Sequence, residues 1–270
     1  MLRKSFLFWI GSFLFCFLGL VSIGYCSGYK AAAVIRSDKK VIFDYNGQKA
    51  LPPASTIKVA TALYILKTRK NRLNEWVYVT KRAAQAEPSK AYLKAGDKYK
   101  ARDLLYAMLI ASSNDAASAL AEWHSKTEYS FCRNLTAFLK KQGIYHTEVK
   151  TASGLPQEGQ KTTTRDLCLI MLEAIKEKDI IKALGKKGYT FYSKSGRRHR
   201  VVNHNKLLWN KKYQGLIGKT GFTRKARQCF LGAVLPKDTG DKAYAFAMLG
   251  GRTLWDNIKE LAGMAYEDRD

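Results

Sequence analysis

Strand-like segments stand at both ends of this chain and helical periodicity fills its middle, an order that constrains the fold more than any other feature. Ala31–Arg36 is an apolar strand that Ser37-Asp38-Lys39 turns into a second, Val41–Tyr45, with Asn46-Gly47 as the next turn. Pro52-Pro53 then breaks regular structure, and Ile57, Ala60, Leu63 and Leu66 share one face of a helix expected from about Ser55 to Thr68. Further helices are expected over Arg102–Ala111, Asp115–Trp123 and Phe131–Lys141, the last stopping at Gly143. Thr163-Thr164-Arg165-Asp166 reads as a capping box opening another helix through Ile175. Strand character returns at Tyr189–Ser193, His199–Asn203, Leu216–Thr223, Gln228–Val234 and Tyr244–Leu249, before a closing helix over Leu254–Ala265. The expected fold class is α/β: one antiparallel sheet flanked by helices, which the first two strands and the last helix join, with the helical block inserted as a subdomain. No Pro/Gly/Ser-rich linker suggests a second independent domain.

Only one apolar run is long enough to cross a bilayer, which excludes a multi-span membrane protein. It runs uncharged from Ser5 to Ser27 behind Arg3 and Lys4. A basic start followed by an apolar stretch is an export signal, and this one exceeds the usual core of about 7–15 residues. Residues 1–28 are therefore expected to be an export signal or a retained N-terminal membrane anchor, basic end inside, with residues 29–270 as the functional domain. Gly24, Ser27 and Gly28 offer a cleavage site, whereas Tyr25 argues against lipidation of Cys26.

The formal charge is +25, from 47 Lys and Arg against 22 Asp and Glu. Such a charge attracts nucleic acid, anionic headgroups or wall polymers. Nucleic acid is the least available of these to an exported chain, and the basic residues are dispersed with no zinc finger or aromatic-interleaved strand. The expected partner is thus membrane or wall, not nucleic acid. Cys132, Cys168 and Cys229 lie far apart in apolar surroundings and read as buried small hydrophobes. His124, His146, His199 and His204 have no ligand spacing, so no metal and no cofactor are expected.

Three short patterns can carry chemistry. In Ser55-Thr56-Ile57-Lys58, positions i and i+3 at a helix start face the same way, so the hydroxyl and amine approach. Serine needs a neighbouring base to act as a nucleophile, and lysine serves only when burial or nearby positive charge lowers its pKa. Alone, the pattern is more often a helix cap. In Ser112-Ser113-Asn114 an extended link points Ser112 and Asn114 into one cleft, where Ser112 can relay a proton and Asn114 can hold a substrate amide; as an isolated motif it too is a respectable cap. Lys219-Thr220-Gly221 lies within a strand, where a mid-strand glycine makes room for another backbone. Lys219 supplies charge and Thr220 a hydroxyl for an anionic end group; an amphipathic strand with an exposed lysine is the bland alternative. A phosphate loop is excluded because Tyr213 stands where its first glycine is required.

Together, in this order, the three are the pattern of the penicillin-interacting serine enzymes. With their surroundings, Leu51-Pro-Pro-Ala-Ser-Thr-Ile-Lys58, Ala111-Ser-Ser-Asn-Asp-Ala116, Gly154-Leu-Pro156 and Gly218-Lys-Thr-Gly-Phe-Thr223, the chain resembles the D-alanyl-D-alanine carboxypeptidase family of low-molecular-mass penicillin-binding proteins from about Tyr29 to Gly263. The resemblance implies a β-lactamase/transpeptidase-like fold and peptidoglycan stem peptides as substrate. It implies Ser55 as nucleophile, Lys58 as general base, and Ser112 and Lys219 as proton relay. Asn114 would hold the acyl side chain's amide, Lys219 and Thr220 would face the terminal carboxylate beside Gly221, and the N–H groups of Ser55 and Phe222 would form the oxyanion hole. β-Lactams would acylate Ser55 as substrate mimics.

Departures from the family pattern are also visible. His204 stands where some relatives place an arginine that binds the carboxylate, so its role is weaker or lost. Arg227 replaces a glycine and narrows or recharges the cleft. No C-terminal β-domain follows, so a tether is expected at the N-terminus. Glu148 stands at a tempting distance for the deacylating base of class A β-lactamases but lacks the Leu-Asn that accompanies it there, and reads as a surface residue. A DD-endopeptidase using the same three motifs, and a catalytically retired basic wall-binding scaffold, are the alternatives to a carboxypeptidase.

Overall fold

The computed structural model describes residues 28–268, so the expected leader, all but Gly28, lies outside them. The chain runs β1 (Ala31–Arg36), β2 (Val41–Tyr45), a 3₁₀ turn (Ala54–Ile57), α1 (Lys58–Arg69), β3 (Trp76–Tyr78), α2 (Lys81–Ala84) and β4 (Lys98–Lys100). It continues through α3 (Ala101–Ile110), α4 (Asn114–Ser125), α5 (Glu128–Lys141), α6 (Thr164–Ala174), α7 (Lys178–Gly185), β5 (Gly188–Tyr192) and β6 (Arg198–Val202). The last elements are β7 (Leu216–Thr223), β8 (Arg227–Val234), β9 (Tyr244–Gly251) and α8 (Trp255–Glu267). Among the described residues no helix is long and apolar enough to cross a membrane.

The main sheet has the order β2-β1-β9-β8-β7, every pair antiparallel. As expected, the N-terminal hairpin completes the C-terminal sheet, Ala31 pairing with Leu249 and Arg36 with Tyr244. β1 and β9 are covered on both faces, which is why they read as continuous apolar runs with no polar alternation. One face packs on the inserted helices, with α6 lying across β1, β8 and β9. The other packs on α8, where Ile258, Leu261, Ala262 and Ala265 meet Val34, Phe230, Phe246 and Met248. The N-cap half of the box forms: the Thr163 hydroxyl accepts from the Asp166 N–H at 3.1 Å and starts α6, while the Asp166 carboxylate accepts from the His146 N–H and the Thr147 hydroxyl. β7 is an edge strand, leaving one side of its backbone open to the site.

Three local differences have physical causes. β5 and β6 pair only with each other. Their inner residues Phe191 and His199 stack on each other at 5.1 Å and meet the Tyr99 ring edge-on, while Arg198, Arg200 and Tyr192 face outward, so the hairpin covers the helical block instead of extending the sheet. β3 and β4 are too short for any periodicity to announce them. The first helix begins as a 3₁₀ turn, which brings i and i+3 closer to eclipse than an α-turn does.

Phe246 is fully buried between the sheet and α8, stacked on Phe230 with ring centroids 5.7 Å apart. Phe246→Ala is expected to cost about 3–5 kcal/mol, read as a lowered urea midpoint at an unchanged slope.

Candidate active site

The 3₁₀ turn carrying Ser55 is wedged between two glycines. On one side lies Gly221 of β7, where a Cβ would stand 3.0 Å from the Ser55 nitrogen and 3.1 Å from Ala54 Cβ. On the other lies Gly154, at φ +83°, where a Cβ would stand 1.9 Å from the Ala54 carbonyl oxygen. The turn itself holds Ala54 at φ +47°, a left-handed conformation that a side chain disfavours by about 1–2 kcal/mol. The mid-strand glycine thus makes room for a backbone, and that backbone is the turn that carries Ser55.

Lys58, the first residue of α1, has no exposed surface. Its Nζ lies 2.9 Å from Ser55 Oγ, 2.7 Å from Asn114 Oδ1 and 2.5 Å from the Ser153 carbonyl oxygen. The amide oxygen and the carbonyl can only accept, so they take two N–H protons; in the neutral amine the remaining lone pair faces the Ser55 hydroxyl. Burial, reinforced by the Lys219 charge, holds Lys58 well below the ordinary lysine pKa. Lys219 is likewise buried, pushed down to about 7 by desolvation, and donates to the Thr220 carbonyl at 2.8 Å. The bland reading of an exposed strand lysine is excluded.

Ser112 sits at the turn between α3 and α4 at φ +59°, nearly buried. Asn114 is fully engaged on its inner side: its backbone N–H donates to Ser89 O at 2.7 Å and its Nδ2 to Glu87 O at 2.8 Å. Ser55, Ser112, Asn114, His204, Thr220, Gly221 and Phe222 line one cleft of about 390 Å³, together with Pro88 and Ser89. Phe222 exposes its ring there. His204 lines the cleft with part of its side chain exposed, and desolvation of the ring with the nearby Lys219 and Lys58 charges lowers its pKa.

Glu148 lies elsewhere, along a separate hollow beside α5, paired with Lys140 at 2.7 Å. Cys132, Cys168 and Cys229 are buried thiols, all raised in pKa by burial, two of them to about 12. Among the described residues no group of three or more His, Cys, Asp or Glu is placed to hold a metal ion.

Two contributors carry no side-chain signal or only a faint one. The Ser153 carbonyl is a backbone atom, invisible to residue type, although Gly154-Leu155-Pro156 marks its loop. Asp115, next to Asn114, is buried and accepts from the N–H groups of Ala91 and Leu93, each at 3.0 Å, fixing the segment that carries the Pro88–Ser89 wall.

A buried lysine against a half-buried serine, a serine–asparagine turn and an edge strand bearing Lys-Thr-Gly meet around one cleft. The family profile described as D-alanyl-D-alanine carboxypeptidase matches residues 28–262, and the chain belongs to that family. It is 31% identical over 205 residues to a D-alanyl-D-alanine carboxypeptidase of Bacillus subtilis, covering 74% of this chain and 52% of the relative, about half its length. A D-alanyl-D-alanine carboxypeptidase of Mycobacterium tuberculosis is 34% identical over 221 residues, 78% of this chain and 73% of the relative. The solved structure of a D-alanyl-D-alanine carboxypeptidase from that organism superposes with a TM-score of 0.80 at 30% identity, over 88% of this chain and 91% of the other.

Gly154→Ala places a side chain where both backbone conformation and the Ala54 carbonyl forbid one. Gly143 has a similar φ, +80°, but open space around it. Gly143→Ala is expected to cost about 1 kcal/mol and Gly154→Ala at least about twice that in urea unfolding, the excess reporting the clash with the nucleophile's turn.

Proposed function

We propose that this protein is a serine DD-carboxypeptidase that removes the terminal D-alanine from peptidoglycan stem peptides. The observation that carries the reading is Lys58 Nζ, held by two obligate acceptors so that its third position faces Ser55 Oγ. The neutral amine takes the Ser55 proton as Oγ attacks the carbonyl carbon between the two D-alanines. The resulting oxyanion is received by the N–H groups of Ser55 and Phe222, which belong to the two elements that Gly221 brings together. Ser112, with Lys58 and Lys219, passes a proton to the departing D-alanine nitrogen. Water then hydrolyses the ester, returning Ser55 and the shortened peptide. The Lys219 ammonium and Thr220 hydroxyl hold the terminal carboxylate, and Asn114 the amide of the acyl side. The same cleft accepts β-lactams as covalent inhibitors. The protein acts outside the cytoplasm, exported by residues 1–28, which either leave or remain as a membrane tether.

Wild type incubated with fluorescent penicillin is expected to carry a covalent label that Ser55→Ala lacks, and to release D-alanine from a stem pentapeptide. An unlabelled folded wild type leaves a retired wall-binding scaffold; conversion of cross-linked dimers to monomers without D-alanine release identifies an endopeptidase.

A lysine is charged below its pKa; burial lowers both lysines, and the Lys219 charge adds a second lowering cause at Lys58. kcat/KM for a peptide is expected to rise as Lys58 becomes neutral and to fall above about pH 7 as free-enzyme Lys219 loses its charge. In kcat the alkaline limb moves upward, because bound carboxylate stabilises the ammonium. Lys219→Arg, charged at all these pH values, is expected to lose that limb.

A further inference from the structure

Beside the catalytic cleft lies a second hollow of about 480 Å³, formed where β1 begins, β8 begins and β9 ends. Lys30, Arg227 and Arg252 line it with Gly28, Gly250 and Thr253. The two hollows adjoin at successive residues: Gln228 and Leu254 line the catalytic cleft, Arg227 and Thr253 its neighbour. None of the three cations forms an ion pair with a carboxylate among the described residues, and the nearby Glu260 accepts instead from the Tyr29 hydroxyl at 3.3 Å.

The backbone is shaped for these side chains. Arg227 begins β8 at φ +63°, a conformation costly for any residue but glycine. Gly250, at φ +70°, leaves the space in which the Lys30 stem lies, since a Cβ there would meet Lys30 Cβ, Cγ and Cδ at 2.7–2.8 Å. Arg252 is anchored by its backbone N–H to Gly28 O at 2.6 Å.

Strand geometry says what reaches this place. A peptide added antiparallel along the free edge of β7, with its terminal carboxylate at Lys219 and Thr220, passes Phe222 and Thr223 with its earlier residues. Those residues head for the turn from β7 into β8, which ends at Arg227.

We propose that this hollow is a second anion subsite of the same cleft, taking a carboxylate that the substrate peptide carries a few residues before its D-alanyl-D-alanine end. The inference rests on the carboxypeptidase reading above and names a specificity determinant for it. Lys30, Arg227 and Arg252 orient the upstream acid by charge, and no bond is made or broken there.

The test uses two peptides ending in D-alanyl-D-alanine that differ only in an upstream side chain, carboxylate in one and carboxamide in the other. Wild type is expected to favour the acidic peptide about tenfold in kcat/KM, the scale of one charge-assisted contact. In about 1 M salt, where screening acts within roughly 3 Å, the ratio should fall toward one. In the Arg227→Gln/Arg252→Gln double variant it should be near one in dilute buffer; being a ratio, it is independent of the fraction of active protein. A wild-type ratio of one with D-alanine release intact would overturn the subsite and leave the reaction standing, as would a preference that survives in the double variant. Absence of both D-alanine release and penicillin label would overturn the reaction and the subsite with it. If the double variant of the full chain instead loses sedimentation with phosphatidylglycerol vesicles while its peptide ratio stays that of wild type, the hollow belongs to a lipid headgroup and the proposal fails.

Discussion

A lysine side chain buried without a carboxylate is the demand around which the site is organised. An isolated ammonium in a low-dielectric interior is costly, and the lysine responds by favouring its neutral form and by finding acceptors for its protons. Lys58 finds them on separate elements: the amide of Asn114 at the start of α4, the carbonyl of Ser153 in the loop before α6, and the Ser55 hydroxyl one turn back. One nitrogen therefore ties together three segments distant in sequence. Each segment is fixed in turn. Glu128 accepts from the Ala152 N–H at 2.9 Å, the Thr61 hydroxyl donates to Ala152 O at 2.9 Å, and Asp115 gathers Ala91 and Leu93. The polar network costs nothing in unsatisfied groups at the nitrogen itself, which lets a basic residue sit where water does not reach.

Strain collects next to this network. Ala54 and Ser112 both hold positive φ, at +47° and +59°, the first immediately before Ser55. Such positions cost on the order of 1–3 kcal/mol and persist only when their surroundings over-determine them. Here the surroundings are identifiable. Gly154 and Gly221 bracket the Ala54 turn, while Asn114, bonded to Ser89, Glu87 and Lys58, fixes the chain just after Ser112. The large buried sheet and its two packed faces supply the stability that the site consumes.

What was legible in the sequence was what short-range chemistry writes there. The Thr163 cap is visible because a hydroxyl and an N–H three residues apart satisfy each other locally. Ser55 and Lys58 are visible because their spacing alone brings hydroxyl to amine. Strand identity was readable in β5 and β6 from alternation, but not their partner, since pairing is decided by Phe191 and His199 meeting Tyr99 about a hundred residues away in sequence. The fold's discontinuous sheet followed from element order, while β3 and β4, three residues each, are below what any period can reveal. The Ser153 carbonyl leaves no mark in residue types at all. The lowered pKa of His204 follows from desolvation of its ring and from Lys58 and Lys219 nearby, none of which spacing conveys.

The basic composition and the catalytic chemistry share one cause. A net charge of +25 looks like a property of the surface, and much of it is solvated or paired there, as Lys67 and Lys70 are with Glu177. Around the cleft, positive charge does two things at once. The Lys219 ammonium makes protonation of Lys58 less favourable, keeping the base ready, and it is itself the group that a terminal carboxylate would meet. Under the proposed function an arriving carboxylate would offset the Lys219 charge. A carboxylate pairing Lys219 within the protein would stabilise that lysine and remove both effects. The acceptors of its two lysines are accordingly amide and carbonyl oxygens with the Ser55 hydroxyl, and no carboxylate, which under the proposed function leaves full negative charge for the substrate to bring.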